Sequence, residues 1–207
     1  MSDNQKNKYY DFLYEPLPRW SSYWYQIHEV LSRNPKTVLE VGVGNHVVTE
    51  YLKHAGVSVT TLDVEKKLAP DVVASVTAIP LADASHDVVL AAEVLEHLPF
   101  EDFSKALAEI NRVTKQHAVI SLPHWGSVIA GTLKVPMFPW LRFVWKLKGF
   151  KRHILSQNGH YWEIGKAGYP LGRVKREMHK AGFEIIKDYV IIEYPYHHFF
   201  ILKKQAV

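Results

Sequence analysis

Residues 38–46 read Val38-Leu39-Glu40-Val41-Gly42-Val43-Gly44-Asn45-His46. A short apolar run stops in an acidic turn that carries two glycines. A helical pattern follows, and a second apolar run ends at Asp63. This succession is a strand, a crossover helix and a parallel strand, which places the segment in an open α/β sheet. Glycines let a backbone turn tightly and let a ligand come close, because no Cβ stands in the way. An acidic side chain at the end of the next strand can accept both hydroxyls of a ribose. The pair is a nucleoside-binding site in outline.

The residues around the glycines narrow the choice of nucleoside. The dinucleotide fingerprint carries a third glycine that lets the helix pack closely, and Val47 stands there instead. Glu40, two residues ahead of Gly42, would repel a pyrophosphate. S-adenosylmethionine has no phosphate and carries a sulfonium and an ammonium, which an acidic turn suits. Three further stretches follow in order: Leu62-Asp63-Val64, then Ile79-Pro80-Leu81-Ala82-Asp83-Ala84-Ser85-His86-Asp87-Val88-Val89-Leu90, then Glu93-Val94-Leu95-Glu96-His97-Leu98. With the glycine turn, these resemble the four motifs of the class I S-adenosylmethionine-dependent methyltransferases, of the type 11-like kind, in register from about Val38 to Pro123.

That resemblance implies S-adenosyl-L-methionine as cofactor and a set of residues to hold it. Gly42 and Gly44 would lie against the methionine moiety, Glu40 would orient its amino group, and Asp63 with Val64 would take the ribose. Ser75 and Val76 fall at the adenine, and Ala91 and Glu93 at the end of the fourth strand. The chain departs from the pattern at two places. His46 stands where the family commonly has glycine, and narrows the loop. Ser75 and Val76 replace an acidic and a small apolar residue, although a serine can still bond the exocyclic amine. These departures keep a rival open, a non-catalytic protein that binds the cofactor. A nicotinamide-dependent oxidoreductase is disfavoured by Glu40 and Val47. Glu40 also has a plainer reading as a helix-end partner, and Glu96 and His97 as groups capping or charging the next helix's start.

The whole chain of 207 residues is expected to fold as a single methyltransferase domain, with an arm and helix over residues 1–36 and a cap insertion over 124–169. The fold expected is a Rossmann-like α/β sheet of seven strands in the order 3-2-1-4-5-7-6, strand 7 antiparallel, with helices on both faces. Helices are expected over 21–32, 47–55, 103–114 and 171–181. Strands are expected over 37–41, 57–62, 72–75, 87–91 and 118–122, with a closing hairpin of 183–192 and 197–203. There is no cysteine, so no disulfide or thiolate chemistry is possible. That fits a reducing cytoplasm. The first residues lack the apolar core of a secretory signal, and no run of about 18 apolar residues suggests a membrane span. The net charge of +4 is mild, and no nucleic-acid motif accompanies it, so nucleic acid is not expected as a partner.

Methyl transfer needs alignment more than functional groups, since the sulfonium already activates the carbon. Proximity and orientation can supply several kcal/mol, and a histidine can serve an oxygen or nitrogen acceptor as base. His124 ends the fifth strand, and His160 lies in Gly159-His160-Tyr161-Trp162-Glu163-Ile164-Gly165; either can take that role, or be an ordinary packed residue. His197 and His198, at a strand start, read as structural. The twelve histidines show neither a four-residue spacing nor an H-E-x-x-H run, so no metal site is expected. The insertion carries Phe138-Pro139-Trp140-Leu141-Arg142-Phe143-Val144-Trp145-Lys146-Leu147-Lys148-Gly149-Phe150-Lys151-Arg152. At helical spacing Trp140, Val144 and Leu147 form a stripe, either packed on the domain or lying on a membrane surface. With the 9–24 arm, this insertion is expected to form the pocket for a small-molecule or lipid-like acceptor, amphipathic or anionic. The acceptor's identity and the oligomeric state lie beyond the sequence.

Overall fold

The computed structural model describes residues 16–147 and 159–205. Its elements run α1 (Leu17–Leu31), β1 (Thr37–Val41), α2 (Val47–His54), β2 (Ser58–Asp63), β3 (Val72–Val73), β4 (His86–Ala92), α3 (Phe100–Val113), β5 (Thr114–Pro123), β6 (Ser127–Leu133), β7 (Leu141–Leu147), α4 (Leu171–Lys180), β8 (Phe183–Val190) and β9 (His197–Lys204). Seven strands form one sheet in the order β3-β2-β1-β4-β5-β9-β8. The pairings from β3 to β5 are parallel, and β9 enters antiparallel between β5 and β8. This is the expected order, because a four-residue link at Glu193–Tyr196 forces β8 and β9 into an antiparallel pair.

Strand alternation sorts the apolar side chains into two layers. Leu39, Val41, Val89, Ala91 and Ile120 pack with Phe103, Leu107, Ile110, Val174 and Met178 on one face. Val38, Val88, Leu90, Val119 and Phe199 pack with Val30, Val48 and Leu52 on the other. Both faces of the parallel strands are covered, which explains their nearly unbroken apolar sequence. The two aspartates of the fourth-strand motif are fixed at the opposite, amino-terminal side of the sheet or on its flank. Asp87 accepts the backbone N–H groups of Lys36 and Thr37 at 2.9 Å each. Asp83 pairs with Arg112, whose guanidinium also bonds the carbonyls of Ile79 and Leu81.

Two expectations need correction. The first helix starts at Leu17, not at residue 21. Pro16 and Pro18 sit where a helix needs no amide donor. Ser21 bonds back to the Leu17 carbonyl, and the buried Ser22 reaches His197 at 2.8 Å. α1 also lies on a sheet face beside α2, with only its first turns reaching the carboxyl edge. The second correction is larger. The 141–147 stretch is no helix; it pairs with β6 as a two-stranded antiparallel hairpin. The alternation of Leu141, Phe143, Trp145 and Leu147 with Arg142, Val144 and Lys146 is a period of two, and the aromatic and β-branched content favours a strand. Lys148, Lys151, Arg152 and residues 9–15 lie outside the described residues.

Candidate active site

The parallel strands all end at one edge, and the expected site residues gather along it in two groups. The first surrounds the β1–α2 turn. Gly42 and Gly44 have φ of +80° and +50°, the left-handed region open to glycine. Their roles differ. A Cβ on Gly42 would run into Val94 Cγ2, so its missing side chain serves the packing of the 93–98 loop. A Cβ on Gly44 would meet nothing within 4 Å, so open space lies above it. Asp63 Oδ2 accepts the Val43 amide at 3.0 Å and Oδ1 the Glu65 amide at 2.8 Å. These two bonds fix the carboxylate beside the turn and leave each oxygen a lone pair.

Glu40 lies under the turn, buried, and accepts a hydrogen bond from Thr49 of α2. Desolvation pushes its carboxyl up to about 7. His46 also has a positive φ, and its Nε2 sits 2.6 Å from the Leu68 carbonyl, which ties the turn to the loop after β2. Val64 is exposed. The Ser75 hydroxyl is 2.8 Å from that of Thr77. Val76 is buried, and Ala91 is wholly buried in the core layer.

The second group stands past the ends of β4 and β5. Glu93 has a φ of +54°, which costs a non-glycine residue strain and is found at functional sites. Its carboxylate accepts the Ser121 hydroxyl at 2.8 Å and lies 3.6 Å from His197 Nε2. Burial pushes this carboxyl up to about 8. Glu96 is fully buried and raised as well, by burial first and then by Glu93 and Glu163. The Gly159–Gly165 segment closes over this loop. The Tyr161 amide bonds the Glu96 carbonyl at 2.8 Å, and Trp162 plugs the core and donates to the Leu98 carbonyl at 3.1 Å. His160 is thereby placed with Nε2 3.9 Å from Glu96 and Nδ1 3.5 Å from Glu163 and 3.4 Å from the Tyr196 hydroxyl. Despite its burial, Glu163 is held down to about 2 by His160 and Lys166.

The two candidate histidines therefore part company. His160 joins Glu93, Glu96, Glu163 and His197. His124 stacks on His198, Nδ1 to Nδ1 at 2.8 Å, and its carbonyl accepts from Lys146. Burial, Lys146 and His198 depress its imidazole to about 3. His124 borders a different cavity, of about 480 Å³, between the β6–β7 hairpin, Tyr25 and the 189–192 strand end. His198 is held by Asp188 at 3.0 Å, a structural role as expected. His197, expected to be structural, instead lies inside the second group. Sequence reasoning missed it, together with Tyr196 and Ser22, because β9 brings them to the edge from the far end of the chain.

The likeness to known proteins agrees with this layout. Residues 39–122 match the model of a methyltransferase domain. Among curated proteins none matches the chain. Among solved structures, the 1,6-didemethyltoxoflavin-N1-methyltransferase of Burkholderia thailandensis, crystallised with 1,6-didemethyltoxoflavin and S-adenosylhomocysteine, is 14% identical with a TM-score of 0.64, over 95% of this chain and 82% of that one. An N-methyltransferase of Bradyrhizobium japonicum with bound S-adenosylhomocysteine is 11% identical at a TM-score of 0.65, over 93% and 90%. The magnesium protoporphyrin IX methyltransferase of Synechocystis, with bound S-adenosylmethionine, is 12% identical at 0.61, over 99% and 87%. In its motif order and its sheet, the chain resembles the class I S-adenosylmethionine-dependent methyltransferases, the matched domain covering residues 39–122.

Proposed function

We propose that this chain transfers the methyl group of S-adenosylmethionine to an amphipathic small molecule, lipid-linked or sugar-like, that enters over the Glu93–His160 group. The residues fit the cofactor. Gly44 opens onto space that a ligand can fill, Asp63 offers a fixed carboxylate beside it, and Glu40 makes the floor acidic. When bound, the cofactor supplies a methyl already activated by its sulfonium. The protein's own part is to hold the acceptor in line and to take its proton.

The single observation that carries this reading is the position of the buried polar group. It is built on the 93–98 loop, whose Val94 packs against the Gly42 turn, so acceptor chemistry and cofactor turn share one wall. His160, oriented by Glu163 and Tyr196, is the base of this proposal, since a base is itself positioned by a third group. His124 is too acidic as an imidazolium to hold a proton at neutral pH, and it serves the structure. The test is methyl transfer from labelled S-adenosylmethionine to soluble and solvent-extracted cell fractions. Label moving into an amphipathic product, and lost with His160→Gln, supports the reading. Cofactor binding with no transfer into either fraction favours the non-catalytic rival.

The hairpin adds a second reading of how the acceptor arrives. Ile129, Leu133, Leu141, Phe143, Trp145 and Leu147 share one exposed face, continued by Met137, Phe138 and Trp140 at the turn. Lys134 stands beside them, its Nζ 5.7 Å from the centre of the Trp140 ring. Aromatic residues with basic neighbours suit the surface of an anionic bilayer. Among the described residues no helix is long and apolar enough to cross a membrane. We read the chain as a cytoplasmic enzyme that touches a lipid surface through this face. Co-sedimentation with phosphatidylserine vesicles, abolished by Phe143→Ser with Trp145→Ser, checks it; equal recovery of parent and variant in the supernatant contradicts it.

A further inference from the structure

We infer that Glu96, His97 and His160 form a binding site for one divalent transition-metal cation. Each residue offers one ligand atom, and these atoms all lie within 4.8 Å of one another. Ligands about 2.0–2.2 Å from a shared ion stand up to about 4.4 Å apart, so closure onto an ion needs only a small inward adjustment.

The second, independent observation is Glu96 itself. Its side chain is completely buried, and neither carboxylate oxygen meets a hydrogen-bond donor in good geometry among the described residues. Buried carboxylates are almost always satisfied, and an orphaned one asks for an explanation such as an ion. Among the described residues, the side chain within 4.0 Å of Glu96 that can carry positive charge is His160, at 3.9 Å, beyond hydrogen-bond reach. A cation supplies what both oxygens lack.

The surroundings have the form of a metal site's outer shell. His160 turns Nδ1 toward Glu163 and Tyr196 and Nε2 toward Glu96, an arrangement in which a carboxylate fixes the imidazole for ligation. His97 Nδ1 lies 3.3 Å from the Gly159 carbonyl, an equivalent tether, and the ring is exposed, which gives an ion an entry path. The rings of His97 and His160 meet edge to face with centroids 4.9 Å apart. Two imidazoles with one carboxylate suit zinc, iron or manganese ahead of magnesium or calcium, which prefer oxygen alone. The sequence hid this set because Glu96 and His97 are neighbours while His160 comes from the insertion.

Three protein ligands leave room on a four- to six-coordinate ion for an oxygen of the acceptor, and with the ion bound His160 is its ligand, the base role belonging to the ion-free protein. That consequence, an acceptor bearing a hydroxyl or carboxylate next to the methylated atom, rests on the methyltransferase reading above; the binding of the ion does not.

Titration calorimetry of the tag-free whole protein with Zn²⁺ tests the site, with manganese resonance spectra as a second probe and Mg²⁺ as comparison. One Zn²⁺ per chain is expected, with Mg²⁺ at least tenfold weaker. Glu96→Gln and His160→Gln should each weaken Zn²⁺ at least tenfold while S-adenosylhomocysteine still binds, which shows that the variants are folded. His97→Ala, at an exposed position, gives the same loss should a buried variant not fold. His54→Gln, outside the cluster, should change nothing. No stoichiometric Zn²⁺ in the parent, or binding that survives all three cluster substitutions, overturns the proposal. Zn²⁺ binding without any S-adenosylhomocysteine binding keeps the ion site and removes the methyltransferase reading.

Discussion

The two halves of the carboxyl edge are built in different ways. The cofactor half is local: Glu40, Gly42, Gly44 and Asp63 lie on one β-α-β stretch, held by backbone bonds such as the Val43 amide to Asp63. The half proposed for the acceptor is assembled from four distant segments: Ser22 on α1, Glu93 to His97 after β4, His160 and Glu163 in the insertion, and Tyr196 with His197 at the start of β9. The first half is nearly all backbone, with the Asp63 carboxylate fixed by the Val43 and Glu65 amides. The second brings together Glu93 and Glu96, whose carboxyls burial pushes up, and Glu163, which His160 and Lys166 hold down. Neighbouring groups with divided proton affinities are what acid–base chemistry requires.

The hardest blow to this arrangement is at the wall the halves share. Gly42→Val should disrupt both at once, since its side chain displaces Val94 and with it Glu93 and Glu96, and a β-branched residue is strained at φ +80°. We expect a loss of more than about 2 kcal/mol in stability, read by denaturant unfolding, through overpacking and strain. Adding Val94→Ala should recover only the packing share of the loss.

Replacing the histidines separates the acceptor half from the rest of the edge. His160→Gln should lower kcat by about 10²–10⁴-fold, the range of a lost general base, with cofactor binding unchanged. His124→Gln should leave kcat near the parent's. Equal effects in kinetic assays would erase the distinction drawn between them.

Asp63→Ala should weaken S-adenosylhomocysteine by about 10–100-fold, as charge-assisted bonds worth about 1.5–3 kcal/mol are lost. The unfolding midpoint without ligand should move less, because the amides of Val43 and Glu65 can turn to water.

The smallest effect is in pH. The carboxyls of Glu40 and Glu93 titrate higher folded than unfolded, at about 7 and about 8. Each group favours folding most when protonated, so its contribution is complete below about 4.5 and lost as pH rises through 7 to 8. His124 and His197, depressed to about 3, act in the other direction: their contribution is complete above about 6.5 and falls with pH below it. The two pairs offset each other between about pH 4.5 and 6.5, so stability should be highest across that window and fall on both sides. Glu93→Gln should flatten the alkaline side, raising Tm at pH 8.5 relative to the parent by about 2–4 °C for each kcal/mol relieved. An unchanged alkaline slope in calorimetric scans contradicts the burial of that charge.

How far the sequence could be read follows the same division. Sheet order and the cofactor turn were legible because strand, turn and acidic strand end are contiguous. The final hairpin was legible from its short link. Gly42 was read as a place of ligand approach and is filled by Val94, a contact across 52 positions that no local pattern records. The 141–147 stretch fits both periods over so few residues, and its pairing with β6 decided for a strand. The Glu96, His97 and His160 set was invisible because its members meet only after the insertion folds back through the Tyr161 and Ile164 amides. The segment Gly159-His160-Tyr161-Trp162-Glu163-Ile164-Gly165 was its one signal: two charged or titratable groups around a tryptophan that the fold buries.

The measurement that bears most directly on the account is calorimetric titration of the parent and Gly44→Val with S-adenosylhomocysteine. The account predicts one site per chain in the parent, and none in the variant, because the new side chain fills the space above the turn. Absence of binding to the parent at millimolar ligand, or equal binding to both proteins, contradicts it.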